Sequence, residues 1–343
     1  MPPLLSRFRL PRLRIALALM AVCALLALAM PLWIRAGTAS SSALPELAAG
    51  APASGESFTT TDLEWTDESR GRRVPATLFW PASAQTGKVP LVVFSHGIGS
   101  SRDGYGYLGR YWARHGIASL HLQHVGSDRS LWQGNVLLLV SRFQHATSDE
   151  EAIARVQDFR FALDRLLAGA QGAHIARDRI IAAGHSYGAN TTLMVAGAKV
   201  MRKGRLLQFR DPRISSAMVI SAPPFYGEQD FVPILSGITI PTLQVSTLDD
   251  VIRIPGFGSG VEDRLKVFNA TGGDKVLAMY RHGSHNVFTE RRYFDSRQVA
   301  DEVKGNTEAL SLAFIAHVYG RQDSLRNWGK LHQDLIAEYV VRH

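Results

Sequence analysis

Between residues 58 and 320 the chain alternates short apolar runs with longer stretches of helical spacing. Residues 58–65 and 74–80 alternate polar and apolar positions around a polar turn at 66–73 and predict an antiparallel strand pair at a sheet edge. Residues 89–94, 117–122, 180–183, 214–221, 240–246 and 275–280 are short runs rich in Val, Ile and Leu, the pattern of strands buried on both faces. Between them, residues 105–115, 148–167, 189–200 and 298–319 carry apolar residues at helical spacing. Ser148 stands as the N-cap of its helix, with Glu151 at the capping-box position. Alternating strands and helices predict an α/β fold, a mostly parallel sheet with helices on both faces. No internal repeat interrupts the pattern.

One junction in this pattern carries chemistry. The strand at 180–183 runs into Gly184-His185-Ser186-Tyr187-Gly188, and a small-residue helix follows. A serine wedged between strand and helix sits on a sharp, strained turn, with glycines where a Cβ would clash. Its hydroxyl projects above the sheet, and the helix N-terminus beneath it favours developing negative charge. A Gly-rich turn with a capping serine is the bland alternative, but the flanking strand and helix favour a nucleophile.

A nucleophilic serine needs a base and an orienting acid. The strand at 240–246 ends in Thr247-Leu248-Asp249-Asp250, and that at 275–280 ends in Arg281-His282-Gly283-Ser284-His285. Open parallel sheets gather their sites at the carboxyl ends of their strands, so both segments can converge on Ser186. Either Asp249 or Asp250 can supply the acid. Of the two histidines, His285 is favoured because Gly283 and Ser284 let its loop approach closely; His282 reads as a solvated loop residue. An oxyanion hole needs two backbone N–H donors. Tyr187, next to the serine, supplies one. Ile98 supplies the other, from the turn Ser95-His96-Gly97-Ile98, with His96 supporting that loop by hydrogen bonding.

The segments Phe94-Ser-His-Gly-Ile-Gly-Ser-Ser-Arg-Asp-Gly-Tyr105, His121-Leu-Gln-His-Val-Gly-Ser-Asp128, Gly184-His-Ser-Tyr-Gly188, Asp250-Val-Ile-Arg-Ile-Pro-Gly256 and Gly283-Ser-His-Asn286 resemble the alpha/beta-hydrolase superfamily. Within it they look like the bacterial "predicted dienelactone hydrolase" group, related to platelet-activating-factor acetylhydrolases and cutinase-like polyesterases. The resemblance covers residues 58–320. It implies an alpha/beta-hydrolase fold with the order Ser, acid, His, and it favours Asp250 as the acid, from its distance to Pro241 and its place before a Val-Ile-Arg turn. True dienelactone hydrolases use a cysteine nucleophile where this chain has Ser186, so that activity does not carry over.

The remaining features bound the setting. Residues 4–14 hold Arg7, Arg9, Arg12 and Arg14, an apolar run of sixteen follows at 15–30, and small residues follow Pro31. That is the layout of a signal peptide over 1–39, or of an uncleaved anchor, and implies a periplasmic or secreted protein. Residues 40–55, rich in Ser, Ala, Pro and Gly, read as a linker before a catalytic domain at 56–343. The formal charge of +8 includes five arginines and no acid within 1–39, leaving +3 for the rest, without a nucleic-acid footprint. The single cysteine, Cys23, lies in the signal segment, which excludes disulfides and a cysteine nucleophile from the domain. His121 and His124 lack a third ligand in view, so no metal site and no cofactor are expected. Two insertions are expected to shape the substrate pocket. Residues 125–147, with Trp132, read as a lid or equally as an extra helix on the core. Residues 222–231, with Phe225 and Tyr226, read as a pocket wall or a buried turn. The function these features imply is ester hydrolysis on a small-molecule, lipid or polymeric substrate. A peptidase, an acyltransferase or an inactive envelope-binding form of the same fold are the competing readings.

Overall fold

The computed structural model describes residues 57–291, 294–320 and 323–343. The expected signal segment, 1–39, and the expected linker, 40–55, lie outside the described residues. The unit that carries the site comprises Glu56–Arg253 and Gly258–His343. Ile254–Phe257 fall outside that unit and form their own turn, with Phe257 N–H donating to the Ile254 carbonyl at 2.8 Å.

In chain order the elements are β1 (Phe58–Asp67), β2 (Arg72–Pro81), β3 (Val89–Ser95), α1 (Gly106–Arg114), β4 (Ala118–Leu122), α2 (Leu139–Ala146), α3 (Asp149–Ala168), β5 (Ile175–His185), α4 (Tyr187–Ala196), β6 (Lys199–Arg202), β7 (Arg205–Gln208), β8 (Ile214–Ile220), α5 (Val232–Leu235), β9 (Thr242–Thr247), α6 (Val261–Ala270), β10 (Lys275–Tyr280), α7 (Arg297–Val318), α8 (Ser324–Leu331) and β11 (Ile336–Arg342). The main sheet has nine strands in the order β1-β2-β4-β3-β5-β8-β9-β10-β11. Its central pairs, from β4/β3 to β9/β10, are parallel. Antiparallel pairs close both edges.

The period of two in the central strands builds two cores. Leu91, Val93, Ile180 and Ala182 face one side and pack with Val156, Phe159 and Leu163 of α3, Leu193 of α4 and Val267 of α6. Val92, Phe94, Ile181 and Ala183 face the other side and pack with Leu108 and Trp112 of α1 and with Leu310 and Phe314 of α7. Successive side chains of a strand point to opposite faces, so a strand covered on both sides must be apolar throughout. The loops after β3, β5, β9 and β10 all leave the carboxyl edge of this sheet.

Several elements depart from the sequence reading. The helix expected to reach residue 200 stops at Ala196, where Gly197 adopts φ 131°. The chain then forms the two-stranded β6–β7 sheet instead, turning through Lys203 and Gly204. α8 and β11 extend the fold beyond the last expected helix. At α3, Ser148 Oγ accepts the Glu151 N–H at 3.2 Å. The Glu151 carboxylate, however, is engaged by Arg72 at 3.0 Å and by Ser127 Oγ at 2.9 Å. Among the described residues no helix is long and apolar enough to cross a membrane.

The insertion at 125–147 holds two short 3-10 turns, Arg129–Trp132 and Val136–Leu138, and then α2. Leu131, Phe143 and Ala146 anchor it, whereas Val136, Leu137 and Leu138 are exposed. The segment is thus part packed helix and part uncovered apolar surface.

Candidate active site

Ser186 sits between β5 and α4 with φ 54° and ψ −122°, outside the regions that L-residues ordinarily occupy. Such a backbone costs about 1–3 kcal/mol and persists only where its surroundings enforce it. Here the Ser186 N–H donates to the Ile220 carbonyl of β8 at 2.9 Å, and its own carbonyl accepts the Ala189 N–H at 2.8 Å. Two glycines make the turn possible. A Cβ on Gly184 would lie 2.3 Å from the Gly188 carbonyl oxygen, and one on Gly188 would lie 1.9 Å from that of Ser95. No side chain fits at either position, so strand and helix can meet only as glycine backbone.

The structure brings Asp250 and His285 to this serine. His285 Nε2 is 2.8 Å from Ser186 Oγ, and His285 Nδ1–H donates to Asp250 Oδ1 at 2.7 Å. The other pair meets elsewhere: His282 Nδ1 lies 3.6 Å from Asp249 Oδ2, with both side chains largely exposed. Asp250 is fully buried. Burial alone pushes its carboxyl up, but His285 and Arg264 outweigh it and hold the group well below the usual carboxylate range. Arg264 of α6 donates from Nη2 to Oδ1 at 3.0 Å and from Nε to Oδ2 at 3.1 Å. Ser246 Oγ donates to Oδ2 at 2.6 Å.

The turn after β3 also borders the serine, since a Cβ on Gly97 would lie 3.2 Å from Ser186 Cβ. Among the described residues no acceptor is assigned to the N–H of Ile98 or of Tyr187. Ile98 follows Gly97, and Tyr187 follows Ser186, in the chain; unpaired N–H groups are the donor type a developing oxyanion needs. Several bonds hold this turn. His96 Nδ1–H donates to the Gly97 carbonyl at 2.7 Å, and His96 Nε2 accepts the His124 N–H at 3.0 Å. Burial, and then Arg155, push the His96 ring well below its usual pKa, so it is neutral. The buried Arg155 of α3 donates to the His96 carbonyl, to Ser127 Oγ at 2.8 Å and to Thr191 Oγ1 at 3.0 Å. Its guanidinium also lies 4.4 Å from the centre of the Tyr187 ring. Trp132 Nε1–H donates to the Gly99 carbonyl at 2.9 Å, which lays its half-exposed indole against the same turn.

One chain of bonds links the two halves. Gly97 N–H donates to Tyr105 Oη at 3.3 Å. Tyr105 O–H donates to His185 Nδ1 at 2.8 Å, and His185 Nε2–H donates to the His285 carbonyl at 2.9 Å. Burial, and then His285, push the His185 ring down to about 3, so it holds this polarity at neutral pH.

The other sequence expectations separate. Phe225 packs in the larger core, 7% exposed as Ser186 is, and Tyr226 is half-buried, so the 222–231 segment is a packed turn at Phe225. His121 lies among the rings of Phe79, Phe94 and Trp112, while His124 turns to Asp158 and Ser95. The two histidines therefore share no ligand position, and among the described residues no group of three His, Cys, Asp or Glu is arranged to hold a metal. Sequence reasoning missed Arg155, Arg264 and the Tyr105 hydroxyl. The signal for Arg264 was its place on the stripe of Val261, Val267 and Phe268, where a charged residue on a core-facing surface needs a buried partner.

A search of curated proteins finds no match to the chain. A family model described as the alpha/beta hydrolase family matches residues 92–337, from within β3 to the start of β11 and across every segment of the site. With that match, this sheet order and the serine turn in place, the chain belongs to the alpha/beta hydrolase family.

Proposed function

We propose that the chain is a serine hydrolase of carboxylic esters. The observation that carries the reading is the strained Ser186, bonded through His285 to a buried Asp250 at 2.8 and 2.7 Å. In this reading Ser186 Oγ attacks the ester carbonyl and passes its proton to His285 Nε2. The N–H groups of Tyr187 and Ile98 hold the oxyanion of the tetrahedral intermediate. Collapse expels the alkoxide, which takes the proton from His285, and leaves an acyl-enzyme. Water then attacks, its proton goes to His285, and collapse returns that proton to Ser186 as the acid departs. Asp250 accepts from Nδ1–H throughout, fixing the tautomer and stabilising the imidazolium. This chemistry needs no cofactor.

Trp132 is proposed as one wall of the substrate cleft, from its place on the oxyanion turn. The motifs favour the dienelactone-hydrolase-like group with a serine in place of cysteine. The N-terminal 39 residues favour export to the periplasm or beyond, which N-terminal sequencing of the expressed protein checks. The function is tested by hydrolysis of p-nitrophenyl acetate, butyrate and palmitate, with Ser186→Ala as control. The expected result is turnover that disappears in the variant. Turnover retained by Ser186→Ala, or no turnover together with no labelling by a fluorophosphonate, overturns the reading.

A further inference from the structure

We propose that Arg264 is a positioning residue of the reaction, holding the Asp250 carboxylate ionised and turned toward His285. The proposal rests on Ser186, His285 and Asp250 being the reacting set.

Geometry carries it. A carboxylate offers about four lone-pair sites. At Asp250 all are taken: Oδ1 by His285 and Arg264, Oδ2 by Arg264 and Ser246. Turning the carboxylate away from His285 breaks the paired Arg264 bonds, so the guanidinium sets the plane in which Oδ1 meets the imidazole. The fork is itself fixed. Arg264 is 3% exposed, and its Nη1 donates to Ser259 Oγ at 3.0 Å. Ser259 is bridged to Ile252, two residues from Asp250, by backbone bonds of 2.9 and 3.1 Å.

Charge completes the argument. Burial favours the neutral form of a carboxyl group, and a permanent cation at hydrogen-bond distance reverses that preference. The other groups around the pair do not replace it. His185 of β5, behind His285, is neutral, and so is Tyr226, which burial pushes up. Asp263 of α6 has its carboxylate on the Gly260 N–H at 2.9 Å. Without Arg264, Asp250 keeps only Ser246 and His285, and takes up a proton at higher pH. A protonated Asp250 no longer stabilises the imidazolium, so activity is lost earlier on acidification.

The test is kcat and KM for p-nitrophenyl butyrate against pH, in the full chain, for the wild type, Arg264→Met, Arg264→Lys and Ser186→Ala. Arg264→Met is expected to lower kcat by about 10², short of the roughly 10⁴ lost when a triad acid is neutralised, with KM nearly unchanged. Its acid limb moves up by about one pH unit, a tenfold change in proton concentration. Arg264→Lys keeps the charge without the fork. Its limb stays at the wild-type position while kcat stays below the wild type. A folded Arg264→Met with the wild-type limb and kcat overturns the proposal. If Arg264→Met does not fold, Arg264→Lys decides, and wild-type kcat there overturns it. Residual turnover in Ser186→Ala sinks the underlying reading instead, whatever the Arg264 variants do.

Discussion

The molecule contains two sets of serine, histidine and aspartate bonded in the same sense. At the carboxyl edge of the sheet, Ser186 Oγ meets His285 Nε2 at 2.8 Å, and His285 Nδ1 meets Asp250 at 2.7 Å. At the turn after β3, Ser95 Oγ donates to His124 Nε2 at 3.1 Å, and His124 Nδ1–H donates to Asp158 at 3.1 Å. In each set the acid also carries arginine, Arg264 at Asp250, and Arg70 and Arg72 at Asp158. The surroundings differ. Ser95 lies in the regular backbone of β3, and it, His124 and Asp158 have no exposed surface. Ser186 stands on a strained turn at a helix N-terminus, 7% exposed, and among the described residues the N–H groups of Ile98 and Tyr187 have no acceptor. The hydrogen-bond pattern is thus shared, and the edge set adds access, strain and, in the proposed reading, oxyanion donors. A relay becomes a reaction site when a substrate carbonyl can reach the serine and its developing charge meets fixed donors.

The sharpest way to break the comparison is to remove each hydroxyl in turn. Ser186→Ala is expected to lower kcat by about 10⁶ and to leave the fold intact. Ser95→Ala is expected to keep kcat within a few-fold and to cost about 1 kcal/mol of stability, the net worth of one buried hydrogen bond. Ester turnover and urea midpoints on both variants check the pair, and a large kcat loss in Ser95→Ala would remove the distinction.

The acids sharpen it further. Asp250→Asn offers His285 an amide and disturbs its tautomer, at a cost of about 10⁴ in kcat. Asp158→Asn weakens the bonds from Arg70 and Arg72 at 2.9 Å, while Asp67 still pairs Arg70 and Glu151 still pairs Arg72, so its cost falls on stability, about 1.5–3 kcal/mol, the worth of a hydrogen bond to a charged group. Pre-steady-state kinetics and denaturant titration on the two variants should therefore give opposite profiles.

Between the sets runs the chain from Gly97 through Tyr105 and His185 to the His285 carbonyl. Tyr105→Phe keeps the ring in its packing with Phe94 but removes both hydroxyl bonds. It loosens the oxyanion turn and the base loop together without touching substrate. The expected effect is a fall in kcat of about 10-fold to 10²-fold, below that of deleting an oxyanion donor outright. Equal kcat in Tyr105→Phe and the wild type would show that the two halves are held independently.

What was legible in the sequence follows from range. Strands such as 89–95 and 275–280 announce themselves because burial on both faces demands continuous apolar residues. Ser186 is legible because the constraint on its turn lies within five consecutive residues. Choosing Asp250 over Asp249 needed a resemblance as well, since the two are adjacent along the chain, whereas the small residues before His285 favoured it over His282. The β6–β7 pair was hidden because Lys199 and Val200 continue the preceding helical pattern, and only Gly197 breaks it. β11 is a half-exposed edge strand with weak alternation. The Ser95 set is invisible to motif reading: its three members come from three separate elements, and neither His124 nor Asp158 sits in a recognisable constellation. Arg155 and Arg264 were present only as charges on apolar helix faces, which names an unmet partner without saying which one.

Acid stability is expected to leave kcat untouched and isolates the buried side. Burial pushes His121 and His185 down to about 3, and holds His96 and His124 well below the usual imidazole value. Each is neutral in the fold and free to protonate in the unfolded chain near pH 6.5. Between that pH and about 3 the unfolded state binds more protons, so stability falls as pH falls through this window. Each such ring contributes a slope of up to about 1.4 kcal/mol per pH unit. His121 is the clean probe, because among the described residues both its ring nitrogens lack a hydrogen-bond partner and it belongs to neither serine set. His121→Leu should flatten the dependence of the urea midpoint on pH between 6.5 and 4 by one proton's worth, with kcat unchanged at pH 7.5. An unaltered slope would mean that His121 is protonated within the fold, and the aromatic cage of Phe79, Phe94 and Trp112 would then be holding an imidazolium by its ring faces rather than a neutral ring.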